Sequence, residues 1–285
     1  MAEEWGMLYL CPTPIGNLKD ISERILDTLR EVDIIACEDT RNSLKLFNHY
    51  GISKPLTSYH EHNKYDKAKE LIFKLKQGND IAIVTDAGTP GISDPGEVIV
   101  KECLDEGIRV TSLPGPCALI TALTMSGQKT GRFVFEAFLP PEKKERAEIL
   151  KELKDETRTM IIYEAPHHLK KTLKDILEAL GDRQISLLRE LTKKFEEVKR
   201  TSLSEAVAFY DNNEPRGEYV LVIEGKDRKI LRSEKEEIFK DMSLGEHMEI
   251  YLEQGYDKKE SMKLVARDRG ISKRDVYNAL LQTGK

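Results

Sequence analysis

Three short loops hold the residues best suited to gripping a ligand. They are Pro12–Asn17 (Pro-Thr-Pro-Ile-Gly-Asn), Asp86–Gly96 (Asp-Ala-Gly-Thr-Pro-Gly-Ile-Ser-Asp-Pro-Gly) and Pro114–Ala118 (Pro-Gly-Pro-Cys-Ala). Each follows an apolar run that reads as a strand, and open α/β sheets bind ligands at the carboxyl ends of their strands. Glycine lets backbone approach a ligand closely, and proline fixes the shape of the loop. The middle loop packs five Gly or Pro into the nine residues Gly88–Gly96. An ordinary strand-to-helix turn explains any one such loop. Three together predict a pocket walled largely by backbone.

Several ligand classes lack their signature. There is no G-x-x-x-x-G-K-[ST] for a nucleotide triphosphate, no G-x-G-x-x-G after the first strand for a dinucleotide, and no H-E-x-x-H for catalytic zinc. His60-Glu61-His62 has no clear third ligand and reads as a polar loop, so no metal site is expected. Cys11, Cys37, Cys103 and Cys117 form no C-x-x-C pair, which predicts reduced, mostly buried thiols.

Strand and helix patterns alternate around these loops. Met7–Cys11, Val32–Cys37, Ile81–Thr85 and Arg109–Leu113 read as strands. Between them, helices are expected after an Asp20 N-cap and over Thr40–Tyr50, Tyr65–Lys76, Glu97–Glu106 and Cys117–Met125. This order predicts an α/β domain with a largely parallel sheet over residues 1–126. Gly127–Gly131 is the expected hinge. A second α/β domain, 127–228, has strands at Phe133–Phe138, Thr159–Tyr163, Gln184–Arg189 and Tyr219–Glu224, with helices over Lys143–Lys154, Leu169–Leu180 and Leu203–Tyr210. The charged stretch Lys226–Lys240 reads as a boundary. A small helical subdomain, 229–285, follows, with helix-turn-helix-like patterns over Leu244–Gln254, Lys258–Asp268 and Lys273–Gln282, the last capped by Ser272.

Hydrophobic residues make up 39% and charged residues 33%, a balance that builds cores and argues against disorder. The net charge of -5 argues against a general nucleic-acid coat. From Lys258 to Lys285, however, eight Lys and Arg stand against three Asp and Glu, so a basic tail sits on an acidic body. That tail is a candidate RNA contact or simply a solvated face. No apolar run is long enough to span a bilayer, and the acidic opening Met1-Ala2-Glu3-Glu4 lacks the basic start of a signal peptide. A soluble, cytoplasmic protein is expected.

The residues also carry a family resemblance. Residues 8–24 (Leu-Tyr-Leu-Cys-Pro-Thr-Pro-Ile-Gly-Asn-Leu-Lys-Asp-Ile-Ser-Glu-Arg) resemble the opening of the bacterial ribosomal RNA small-subunit methyltransferase I family, within the tetrapyrrole-methylase superfamily. Ala36–Arg41, Ser58–Asn63, Asp86–Gly96, Leu113–Leu119, Tyr163–His168 and Arg189–Lys193 are similar to it as well, so the likeness spans nearly the whole chain. It implies two α/β domains of tetrapyrrole-methylase type with S-adenosyl-L-methionine in the cleft between them. It further implies a homodimer and 2′-O-methylation of a cytidine in the decoding region of 16S ribosomal RNA within the small subunit.

Carried over position by position, the superfamily's cofactor contacts fall on Pro14, on Gly88, Thr89 and Ile92, and on Cys117 and Ala118. In the second domain they fall on Glu164, Ala165, Leu191, Thr192, Glu218 and Val220. A ribose hydroxyl is a poor nucleophile, so a base or polarising cation would help its methylation. Glu38, Asp39, Arg41, His60 and Asp94 are the candidates beside the expected pocket. Asp39 equally suits a helix cap, Arg41 a phosphate clamp and His60 a polar loop. Two other readings stay open: a small-molecule methylase of the tetrapyrrole type, and a non-catalytic RNA-binding regulator.

Overall fold

The computed structural model describes residues 5–239 and 242–282. The acidic opening Met1–Glu4, Lys240 of the charged stretch and Lys285 of the basic tail lie outside the described residues.

Short apolar runs build the first sheet: β1 (Leu8–Leu10), β2 (Ile34–Cys37), β3 (Leu56–Ser58), β4 (Ile81–Val84) and β5 (Val110–Ser112). Their order is β3-β2-β4-β1-β5 and every pairing is parallel. Parallel strands need helical crossovers, which cover both faces. Ile81 and Ile83 pack toward α3 (Lys64–Lys76) and α4 (Gly96–Asp105), among Leu71, Leu75, Ile99 and Cys103. Ala82 and Val84 pack toward α1 (Glu23–Glu31) and α2 (Thr40–His49), among Ile25, Leu29 and Phe47. Every strand's carboxyl end therefore opens on one edge of the sheet.

The second sheet, unlike the first, is mixed. It holds β6 (Phe133–Phe138), β7 (Thr159–Glu164), β8 (Gln184–Arg189), β9 (Glu197–Ser202) and β10 (Tyr219–Ile223), in the order β6-β7-β10-β8-β9. Only β6 and β7 run parallel. One face is covered by α6 (Lys143–Leu153), α7 (Pro166–Leu180) and α8 (Leu203–Asp211), around Met160, Ile162, Leu187 and Leu221. The other face meets α5 (Ala118–Ser126), whose Leu119, Ala122 and Leu123 pack on Ile161, Leu188, Val220 and Val222. A helix that starts at the edge of the first sheet thus packs on the second and joins the two halves. It ends at Gly127 with φ 74°, the left-handed conformation that glycine adopts without strain.

One local expectation is corrected. Ser22, not Asp20, caps α1 by accepting from Ile25, while Asp20 lies in a preceding 3-10 turn capped by Asn17. The charged stretch after Lys226, expected to mark a boundary, forms a helix, α9 (Arg228–Ile238). β3 and β9 were not expected from the pattern. The tail does form α10 (Leu244–Glu253), α11 (Lys258–Asp268) and α12 (Lys273–Gln282), around Met248, Val265, Ala266, Val276 and Leu280. Ser272 caps the last of these, accepting from Asp275 at 3.1 Å. Part of the tail's positive charge is internal, because Arg269 donates to His247 Nδ1 at 3.1 Å and to the carbonyls of Met242 and Ser243. Among the described residues no helix is long and apolar enough to cross a membrane.

Candidate functional site

The three Gly/Pro loops converge, and backbone bonds knit them together. Thr13 and Gly88 exchange N–H···O bonds of 2.9 and 3.0 Å, tying the loop after β1 to the loop after β4. The Thr13 hydroxyl donates to the Thr85 carbonyl at 3.0 Å. The Thr89 hydroxyl donates to the Pro116 carbonyl at 2.8 Å, tying in the loop after β5. Inside the middle loop the Asp94 carboxylate accepts from the N–H groups of Gly91, Ile92 and Gly96, at 2.7 to 3.1 Å. Asp94 is a loop organiser whose oxygens are spent on backbone.

Facing these loops across a cavity of about 400 Å3 are strand ends of the second sheet. That volume is in the range of small-molecule and cofactor sites. The first domain supplies Gly88, Thr89, Ile92, Cys117 and Ala118, all expected, and also Glu38, Asp86 and Ile15. The second supplies the expected Glu164, Leu191, Glu218 and Val220, together with Tyr163, Glu190, Lys193 and Tyr219. Antiparallel register brings this second set together: Glu164 and Arg189 both lie opposite Tyr219 on β10.

The remaining expected residues stand elsewhere. Pro14 turns away from this cavity into a neighbouring one. Ala165 is the N-cap of α7, and its N–H is taken by the Glu164 carboxylate at 2.8 Å. The Thr192 hydroxyl is buried with no hydrogen-bond partner among the described residues, against Gly16 of the first loop. Of the five candidate catalytic residues, only Glu38 reaches the cavity. Its carboxylate accepts from the Thr85 hydroxyl at 3.2 Å. Asp39 caps α2, accepting from Arg41 N–H at 2.8 Å, and pairs with the Arg41 guanidinium, which holds its carboxyl below the usual range. The Arg41 side chain is 87% exposed, so it faces solvent rather than the cavity. The His60 N–H donates to Asn63 within its own turn, and the ring stands edge-on to His62.

Strain marks the same place. Among the described residues the non-glycine residues with positive φ are Ser93, Ala137, Glu190 and Thr192. Ser93 and Glu190 line the cavity, Ala137 precedes Phe138 on its rim, and Thr192 follows Leu191. Left-handed backbone at such residues costs free energy and persists where the surroundings hold it, which is typical of binding sites. Gly217 makes room for one of them, since a Cβ there would stand 2.5 Å from Glu190 Oε1.

The chemistry of the lining is lopsided. Five carboxylates (Glu38, Asp86, Glu164, Glu190 and Glu218) and one lysine surround the cavity. Lys193 is engaged by Glu190 at 3.1 Å. Apolar Ile15, Ile92, Leu191 and Val220 provide flat contact. The Tyr163 hydroxyl accepts from Leu119 N–H at 3.0 Å, and burial pushes its pKa up to about 12, so it stays protonated. A ligand with cationic centres and a flat ring fits such a site. Among the described residues no group of three or more His, Cys, Asp or Glu is arranged to hold a metal.

Known proteins share this sequence and fold. The family model for tetrapyrrole (corrin/porphyrin) methylases matches residues 7–207. The ribosomal RNA small subunit methyltransferase I of Halalkalibacterium halodurans is 48% identical over 277 residues, which cover 97% of this chain and 95% of that protein. The protein of the same name from Thermotoga maritima is 48% identical over 222 residues, 78% of this chain and 100% of its own length. Among solved structures, a diphthine synthase superposes with a TM-score of 0.61 at 14% identity, covering 78% of this chain and 90% of that one. At that identity the likeness concerns the fold alone.

Proposed function

Given that the chain belongs to the tetrapyrrole methylase family, and within it to the ribosomal RNA small subunit methyltransferase I group, we propose that it transfers a methyl group from S-adenosyl-L-methionine to the 2′-hydroxyl of a cytidine in the decoding region of 16S ribosomal RNA. The observation that carries this reading is the carboxylate-rich cavity between the two sheets.

The residues present suit that cofactor. Its sulfonium and ammonium are positive, and the walls are negative. Leu191, Val220, Ile92 and Ala118 offer an apolar bed for adenine, and Gly88 brings backbone close. When bound, the cofactor supplies a methyl group already activated by positive charge on sulfur. The chain's own contribution is to align the acceptor, exclude water and hold the loops in one shape. Glu38 is the candidate group to receive a proton on the first-domain wall, oriented by Thr85. The basic residues of the tail that remain exposed, among them Lys258, Lys259, Lys263 and Arg274, would add phosphate contacts. The reading includes a homodimer working in the cytoplasm.

Calorimetry with S-adenosyl-L-methionine, followed by transfer of labelled methyl to small ribosomal subunits from a strain lacking this modification, tests the proposal. Binding in the micromolar range and labelling of the RNA are expected. Absence of either would refute it.

A further inference from the structure

A second cavity of about 330 Å3 lies beside the first, and the loop after β1 divides them. Ile15 faces the first cavity, while its neighbours Pro14 and Gly16 face the second. Asp86, at the end of β4, lines both. The two spaces differ in charge. The first is ringed by carboxylates. The second has one wall made by α2, where Asn42, Lys45, Leu46 and His49 follow the i, i+3, i+4, i+7 spacing of a single helix face. Lys45 and His49 are exposed there, and neither forms an ion pair with a described acidic group. Apolar Leu18 and Leu46 line the same cavity.

We propose that the second cavity is the acceptor site. It takes one unstacked nucleotide of single-stranded RNA, and Asp86 accepts a hydrogen bond from the sugar hydroxyl where the two cavities meet. This rests on the function proposed above. Single-stranded RNA is read by splaying a base onto apolar surface while cations hold the phosphate. Leu18, Leu46 and Pro14 supply the surface, and Lys45 supplies the cation with His49 beside it. Asn42 Nδ2 donates to Asp86 Oδ2 at 3.3 Å, which fixes the carboxylate and leaves Oδ1 without a partner among the described residues. Asp86 is therefore a ready acceptor, held from the second cavity and reaching the first.

Lys45→Ala in the full chain tests this, because the side chain is exposed and its loss leaves the core untouched. The probe is the unmodified small ribosomal subunit, with binding measured across a salt series and cofactor affinity measured separately by calorimetry. Lys45→Ala is expected to weaken subunit binding about tenfold and to flatten the salt dependence by about one phosphate contact. Cofactor affinity should be unchanged, Lys45→Arg should restore binding, and Lys101→Ala on α4 should behave as wild type. Wild-type subunit binding by Lys45→Ala would overturn the acceptor site while leaving the proposed function standing, provided the wild-type protein labels the subunits. An equal loss of cofactor affinity would also overturn it, since Lys45 would then belong to the first cavity. A wild-type protein that neither binds nor labels subunits would end both.

Discussion

Gly16 of the first domain lies against Thr192 of the second so closely that a Cβ on Gly16 would stand 2.8 Å from the Thr192 hydroxyl oxygen and 2.5 Å from Cγ of Lys193. This contact sits where the two halves of the cleft meet. It joins the loop that separates the two cavities to the strained turn that carries Glu190 and Leu191.

Gly16→Ala should therefore open the cleft. Overpacking of this kind costs about 1–3 kcal/mol, and 1.4 kcal/mol is about tenfold in an equilibrium constant. The expected result is a cofactor Kd raised about tenfold by calorimetry, with a melting temperature close to wild type, because the contact lies outside both sheet cores. An unchanged Kd would mean that the loops do not bear on the site.

Asp94→Ala should damage the cofactor loop from inside. Its carboxylate satisfies three backbone N–H groups, and hydrogen bonds to a charged group contribute about 1.5–3 kcal/mol each at most. A loss of roughly 2 kcal/mol and a fall of roughly 4–8 °C in melting temperature are expected. Cofactor affinity should fall with them. Were Asp94 instead a base acting on the substrate, activity would vanish with stability and affinity unchanged, and these measurements separate the two roles.

Acid should act on the second domain through Glu156. Arg158 donates to its carboxylate at 3.0 and 2.6 Å, which pulls its pKa from 4.5 down to about 2. A depressed pKa contributes stability that is complete above 4.5 and is lost as pH falls toward 2. Glu156→Gln should be less stable than wild type at neutral pH, by about 2 kcal/mol, with the gap closing as pH falls through that window. Urea midpoints measured from pH 7 to pH 2.5 check this. A gap that stays constant with pH would contradict it.

Ending the chain at Ser243 should separate chemistry from RNA capture. The last three helices have a core of their own, so their removal leaves both sheets packed. The shortened chain is expected to bind cofactor within about twofold of wild type and to bind small subunits at least tenfold more weakly at moderate salt. Undiminished subunit binding would remove the tail from the RNA surface.

Much of this was legible in the residues. The apolar runs of β1, β4, β8 and β10 are buried strands and announce themselves as such. The Gly/Pro loops fall at strand ends, so the first-domain wall of the cavity could be read directly. β9 was hidden because Glu197-Val-Lys-Arg-Thr-Ser is a charged edge strand, and edge strands carry charge to avoid pairing with other chains. α9 was hidden because charge dominates its composition. Glu190 and Tyr219 reach the cavity through antiparallel register between strands far apart in sequence, which no local pattern encodes. Asp86 lay in plain sight within the middle loop. What singles it out is Asn42, 44 positions earlier.

The central claim is tested most directly by locating the methyl group. Small subunits from a strain lacking the modification are incubated with the protein and S-adenosyl-L-methionine, and the 16S RNA is digested and mapped by mass spectrometry. One added methyl is expected, on the ribose of a single decoding-region cytidine, making the adjoining phosphodiester resistant to alkali. A methyl on a base, or 16S RNA left unmethylated, would contradict it.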